Sequence, residues 1–293
     1  MKLLVTGATG WIGSATVPLL RARGHEVVAT ARSSEAASAL SGLGVEVVEA
    51  TLEDPASMAR AVSGCEGVVH LAYHHDFTQV ERAGEMDRAV LEVFAAALEG
   101  SGAPLLVASG VLGVSSSSPA LESDPSTGPF TRSQTAAWVT TLTDRGLRPV
   151  VVRFPPTVHG TGDQGFIARL LQVARDSGVS RYVGEGDTRW SAVHRDDAAE
   201  LVARVVDNPS ETVVHAVAEE GVVFKDLASA IGEVAQVPVA SVTSDDAMAA
   251  MGFIGLLMGM DASASSAHTR EVYEWRPLGP TLLEDVRAGA YSS

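Results

Sequence analysis

Lys2-Leu3-Leu4-Val5-Thr6-Gly7-Ala8-Thr9-Gly10-Trp11-Ile12-Gly13 decides the fold. The apolar run Leu3-Leu4-Val5 reads as a buried strand, and glycines at positions 7, 10 and 13 read as a tight turn that opens a helix. Gly7 allows the turn. Gly10 leaves out a side chain where backbone must approach a pyrophosphate. Gly13 lets the helix pack closely on the strand. Unpaired amides at the helix start then face the phosphate charge. Strand before and helix after is the context in which this glycine pattern signals dinucleotide binding. Gly7, Thr9, Gly10, Trp11, Ile12 and Gly13 are therefore expected to grip the cofactor.

From that stretch the pattern continues outward. Apolar runs predict strands at Lys2–Thr6, Glu26–Thr30, Val45–Glu49, Gly67–Leu71, Leu105–Ser109 and Pro149–Arg153, with helices between them near 12–23, 34–41, 55–63, 79–100 and 132–145. Buried strands without strict alternation, separated by helices, indicate an α/β fold: a doubly wound parallel Rossmann sheet. After residue 154 the pattern loosens. Helices near 165–177, 196–207, 224–235 and 281–289 mix with short strands near 180–183, 213–217 and 238–242. The expected division is a dinucleotide-binding domain over 1–155, with returning elements near 190–217. A smaller substrate-binding region then takes 156–189 and 218–293.

The 293 residues and 46% apolar content suffice for a full core. A net charge of −15 argues against nucleic acid and anionic membranes as partners. The longest apolar stretch, Met251 to Met260, is too short to span a bilayer. A strand beginning at residue 2 leaves no room for a signal peptide, and the single cysteine, Cys65, suits a reducing compartment, so a cytoplasmic location is expected. No Cys/His/carboxylate spacing points to a metal.

A carboxylate at the end of the second strand would bind ribose hydroxyls and favour NAD(H). Here the strand ends Ala29-Thr30-Ala31-Arg32, and the first carboxylate is Glu35. Arg32 can clamp a 2′-phosphate, with Ser33 and Ser34 beside it as donors; the alternative is a solvated surface arginine. The reading favours NADP(H).

Several stretches together carry a family resemblance. They are the opening glycine motif, Val68-Val69-His70-Leu71-Ala72, the run from Val152 through Gly160, Trp190 through Ala198, and Thr269 through Pro277. The chain resembles the extended short-chain dehydrogenases/reductases, which include sugar-nucleotide epimerases and dehydratases. The resemblance implies that Thr51 and Leu52 lie near the adenine. It places Leu71, Ala72 and Tyr73 near the ribose and nicotinamide, and the loop from Pro155 to Val158 at the carboxamide. Ser109 is the implied position beside substrate and cofactor, although the family's serine usually falls at the place of Gly110 or Val111.

That family uses a tyrosine as proton donor and a lysine four residues on, whose charge lowers the tyrosine's pKa. Tyr-x-x-x-Lys occurs nowhere in this chain, which has lysine only at Lys2 and Lys225. In the corresponding stretch Phe130 takes the tyrosine place and Gln134 the lysine place. The chain is similar to the atypical branch that keeps the cofactor site without the dyad.

Three readings compete. A reductase can draw its proton from Tyr73, His74 or His75 after the fourth strand, histidine being competent near neutral pH. An electrophile such as a quinone or conjugated alkene needs little acid help. A silent NADP-binding sensor needs none. The favoured reading is an NADPH-dependent reductase of a small, mainly apolar carbonyl or conjugated compound, with Ser109, Tyr73 and His74 as catalytic candidates. An epimerase or isomerase working through transient oxidation is the alternative. The apolar preference rests on the soft segment Met248–Met260, with Trp190 and Phe154 as added aromatic surface. The same segment reads equally well as core or as the contact of a symmetric dimer. His159 and His194 read as structural, the helix after His194 being capped by Asp196 or Asp197, and Asp163 as the cap of the helix that follows it.

Overall fold

The computed structural model describes residues 1–74, 79–112, 114, 118–128 and 131–291. In chain order its strands are β1 (Lys2–Thr6), β2 (Glu26–Ala31), β3 (Glu46–Glu49), β4 (Gly67–His70), β5 (Pro104–Gly110) and β6 (Arg148–Phe154). They continue with β7 (Thr157–His159), β8 (Ser180–Val183), β9 (Arg189–His194), β10 (Val213–His215), β11 (Glu219–Val223) and β12 (Val239–Val242). The helices are α1 (Trp11–Ala22), α2 (Ser34–Ser41), α3 (Pro55–Val62), α4 (Val80–Ala97), α5 (Thr131–Thr140) and α6 (Phe166–Ser177). After them come α7 (Arg195–Asp207), α8 (Phe224–Ala235), α9 (Ser244–Met251), α10 (Phe253–Met258), α11 (Ala267–Tyr273) and α12 (Leu282–Arg287).

Seven strands form one sheet in the order β10-β6-β5-β4-β1-β2-β3, and every pairing in it is parallel. The order reverses direction between β1 and β4, so the loops leaving those two strands flank the crevice where doubly wound folds bind ligands. One face is buried under α1, α2 and α7, with Val17, Leu20 and Leu201 fully covered. The other is buried under α3, α4 and α5 through Met58, Leu91, Phe94 and Val139. Strand alternation sorts β5 between them: Leu106 faces the first cluster, Leu105 and Val107 the second. Ser109 therefore lies on the α4–α5 side.

A third cluster gathers outside this sheet, around Trp190 of β9, Phe224 and Leu227 of α8, Leu171 of α6, Leu257 and Met258 of α10 and Leu282 of α12. Its strands are separate: β11-β9-β7 form one sheet and β12-β8 a parallel pair. Trp190 is fully buried, edge-on to Phe224 at 4.9 Å between ring centres, and its Nε1–H donates to the Leu257 carbonyl at 3.3 Å. Trp190 is thus a core residue and not a wall of a substrate site. Phe154 is likewise buried in the cluster under α1 and α7. Leu257 and Met258 serve the third core, while Met248 and Leu256 remain exposed.

The strands of the main sheet fall where the apolar runs place them, with ends moved by one or two residues. The helix expected over 132–145 stops at Thr140 and tightens into a 3₁₀ turn over 141–145. The hydroxyls of Thr140, Thr141 and Thr143 bond back to carbonyls three residues earlier, and Gly146 at φ 71° ends the run. Two cap assignments are corrected. His194 itself caps α7, its Nδ1 accepting from the Asp196 amide at 3.3 Å. Asp163 accepts from the Gly165 amide at 2.7 Å, one residue before α6, leaving that helix without a side-chain cap.

Candidate functional site

The glycine turn is built as backbone against backbone. Gly7 sits at φ 69°, a conformation that excludes most side chains. A Cβ there would also lie 2.7 Å from the Ala72 nitrogen. A Cβ on Gly13 would lie 2.1 Å from the Gly7 carbonyl oxygen, so only glycine lets α1 start this close to the turn. The Gly10 amide donates to Gly7 O at 2.9 Å, and the first bond inside α1 runs from Ser14 N to Gly10 O. No side chain caps this helix and its first turn carries no acid. The amides of Trp11, Ile12 and Gly13 are left as outward donors, which is the donor set a pyrophosphate needs. The residues present fit a dinucleotide.

Arg32 follows β2 and is exposed to solvent. Ser33 caps α2 by accepting from the Ala36 amide at 3.2 Å, which leaves its hydroxyl proton to give. Beyond β3, Thr51 is held through its amide to Ser57 Oγ at 3.1 Å, and Leu52 packs on the α3–α4 cluster. Both stand half-buried at the edge of the crevice.

The segment leaving β4 ties the turn to the opposite face. The Ala72 amide donates to Thr6 Oγ1 at 3.2 Å, and Thr6 Oγ1 lies 2.8 Å from His70 Nδ1. His70 Nε2 is 2.9 Å from Asp87 Oδ1 on α4, and all three side chains are buried. Asp87 as acceptor assigns the proton to Nε2, so Nδ1 accepts from the Thr6 hydroxyl. Leu71 bonds Thr6 O through its amide and packs on the α1 side. Tyr73, half-buried, lies under the Arg132 guanidinium of α5, 4.1 Å from Cζ to the ring centre. His74 leans the other way, its Nδ1 3.9 Å from Glu53. His75 and Phe130 lie outside the described residues.

Arg132 reaches this position because Gly84 lets α4 and α5 touch: a Cβ on Gly84 would lie 2.4 Å from the Thr131 methyl. One Arg132 nitrogen donates to the Ala108 carbonyl of β5 at 3.0 Å, while its buried Nε has no partner among the described residues. Burial pushes the Tyr73 phenol up; Arg132's charge pulls against that and Asp87's adds to it. Burial also pulls the Arg132 guanidinium down, opposed by Asp87 and Tyr73. Gln134, in the place the resemblance gives to lysine, is exposed.

Ser109 is buried one residue before the end of β5, in register with Arg153 of β6. Arg153 donates to the Asp124 carbonyl at 2.8 Å and Ser126 Oγ at 3.0 Å and faces His215 Nε2 at 3.2 Å. His215 donates from Nδ1 to the Ser265 carbonyl at 2.7 Å, so its Nε2 is the acceptor. Burial pulls Arg153 down to about 10, still charged at neutral pH. Past Pro155, the expected loop is only Pro155-Pro156, because Thr157 and Val158 already belong to β7. The Val158 carbonyl accepts from Trp11 Nε1 at 2.7 Å, which pins the start of α1 to this strand.

Arg132, Asp87, Thr6 and His70 were not among the residues expected at the site. Thr6 and His70 stand inside the glycine motif and the β4 stretch, but their link to Asp87 runs to a helix whose sequence carries no motif.

A family model described as the NAD dependent epimerase/dehydratase family matches residues 3–218. The chain belongs to that family. It is 39% identical over 295 residues to an uncharacterized Schizosaccharomyces pombe protein, C2A9.02, covering 99% of this chain and 100% of that one. It is 29% identical over 212 residues to the 4-hydroxy-2-methyl-3-oxo-4-farnesyl-3,4-dihydroquinoline-1-oxide ketoreductase of Stigmatella aurantiaca, covering 66% of this chain and 61% of that one. Its fold matches UDP-glucose 4-epimerase of Thermus thermophilus, solved with NAD, at a TM-score of 0.75 and 20% identity, over 99% and 98% of the two chains. The protein is an NAD(P)-dependent oxidoreductase of the extended short-chain dehydrogenase/reductase type. Among the described residues, no helix is long and apolar enough to cross a membrane.

Proposed function

We propose that this protein reduces a small, mainly apolar ketone or conjugated carbonyl compound with NADPH, and that Tyr73 gives the proton. The observation that carries the reading is the placement of Tyr73. It directly follows Ala72, whose amide touches the glycine turn, so a phenol is anchored to the element that would hold the dinucleotide. The amides of Trp11, Ile12 and Gly13 would hold the pyrophosphate, and Arg32, with Ser33, would hold a 2′-phosphate. Thr9, Thr51, Leu52, Leu71 and Ala72 would line the nucleotide side; Pro155 and Val158 would meet the carboxamide. NADPH supplies the hydride when bound. Ser109 lies on the same α4–α5 side as Tyr73 and would orient the carbonyl. His74, turned toward Glu53, is the second donor candidate.

The preference for an apolar ketone is supported by the ketoreductase relative, whose named substrate carries a farnesyl group. The test follows NADPH consumption against a panel of aryl and long-chain ketones. Consumption with stoichiometric alcohol supports the reading, and Tyr73→Phe should cut it about 10²–10⁴-fold, the usual share of a general acid. Cofactor-neutral conversion would make the protein an isomerase. Tight binding of NADPH with no turnover across the panel would make it a sensor.

A further inference from the structure

Arg132 is a poor choice for stability alone. It brings a guanidinium to a covered position, with one carbonyl bond and a ring face as its described contacts and a buried Nε left over. An apolar side chain would fill that space without desolvating a charge. The cost points to a use for the charge itself. It falls on the one tyrosine attached to the glycine turn, and it comes from the helix in which Gln134 holds the place the resemblance gives to lysine.

We propose that Arg132 is the cation that serves Tyr73: the α5 guanidinium over the ring orients the phenol and stabilises its deprotonated form, so the proton-transfer pair is assembled from two separate segments. The inference rests on the reductase reading and adds a positioning residue to it. In the step, Tyr73 would give its proton to the carbonyl oxygen, while bound NADPH would supply the hydride to the carbonyl carbon. The products are an alcohol and NADP⁺, and the phenolate left under Arg132 regains a proton from water. A cation at the ring counts most at the moment the phenol becomes negative.

Other charges act on the same ring. Asp87 of α4 opposes the phenolate, but its carboxylate is engaged by His70 Nε2, which moderates that opposition. His74 is directed to Glu53 in the loop after β3. The Arg132 guanidinium lies 4.1 Å from the centre of the Tyr73 ring, and its charge works against the upward push that burial gives the phenol.

The test is an alkaline absorbance titration of the free protein. The chain has four tyrosines, so the difference between wild type and Tyr73→Phe isolates the Tyr73 curve. Arg132→Gln keeps a donor for the Ala108 carbonyl and loses the charge; it should move that curve upward by about one pH unit. Arg132→Lys keeps the charge and should leave the curve close to wild type. With acetophenone and an alkyl 3-oxo ester as probes, Arg132→Gln should lose at least about tenfold in kcat with NADPH affinity unchanged, and Arg132→Lys should recover most of it. Melting temperature and NADPH affinity report folding; if Arg132→Gln does not fold, Arg132→Met is read the same way. An unmoved Tyr73 curve in a folded, charge-free variant overturns the inference and leaves the reductase reading standing. Failure to bind NADPH sinks the reductase reading alone. Where no probe ketone turns over, the titration decides.

Discussion

The two ends of this site are built by different means. The nucleotide end is twelve consecutive residues whose geometry is set by missing side chains: Gly7 against Ala72, Gly13 against the Gly7 carbonyl. The proposed chemical end is drawn from the β4 exit, α4 and α5, and is built from side chains that are present: Tyr73, Asp87 and Arg132. The first tolerates almost no change because its neighbours are backbone, which cannot yield. The second can be adjusted, because its neighbours are side chains with rotamers. A fold made this way can keep its cofactor turn while the groups at the other end change.

The largest effect is expected at the nucleotide end. Gly13→Ala puts a Cβ 2.1 Å from a carbonyl oxygen that the turn cannot move. The expected loss is at least about 3 kcal/mol, the upper end for an overpacked position. Thermal unfolding should show a fall of several degrees, and calorimetry should show no NADPH binding. A variant with wild-type affinity would mean that the turn is soft, and the contrast between the two ends would be lost.

Arg32→Ala comes next. Arg32 is exposed, so its removal should leave stability unchanged. A charge-assisted bond to a 2′-phosphate is worth about 1.5–3 kcal/mol, or roughly ten- to a hundredfold in affinity. NADPH binding should weaken by that factor and NADH binding should not change. Equal weakening of both, or of neither, would move the cofactor preference elsewhere.

The same contrast explains what could be read from the residues alone. Gly7, Gly10 and Gly13 are local, each required by a neighbour only a few positions away, and the apolar runs of β1 to β6 are legible because buried parallel strands need no partner to be recognised. The 157–159, 189–194 and 219–223 strands are not legible because they pair only with one another, in a small sheet outside the main one, so no run of helix-separated buried strands marks them. Trp190 looked like a binding surface because an aromatic residue near a helix start fits either role until packing decides, and three-dimensional packing put it at the centre of a core. Tyr73 was legible as a candidate because it follows the β4 stretch. Arg132 was not. The resemblance marks the tyrosine and lysine places at Phe130 and Gln134, and nothing in one dimension says that Arg132 between them folds over a ring on another strand's exit.

Gly84→Ala should give the smallest effect and the finest discrimination. The added methyl would stand 2.4 Å from Thr131 Cγ2 and 2.5 Å from its Cβ, so turning that side chain relieves only part of the clash and the start of α5 must shift as well. Overpacking costs about 1–3 kcal/mol, offset by about 0.5–1 kcal/mol from replacing glycine within a helix. The net change is about 1 kcal/mol, a shift of roughly 2 °C in Tm for a chain of this size. The displacement falls on the first turn of α5, where Arg132 sits one residue on. Ketone reduction should therefore drop by up to roughly tenfold, short of the 10²-fold that a full 1 Å misplacement can cause. NADPH affinity should hold, because no atom of the glycine turn moves. If affinity and turnover fell together in this variant, the two ends would be one mechanical unit, and the Tyr73–Arg132 pair could not have been exchanged for the family's dyad without rebuilding the cofactor turn.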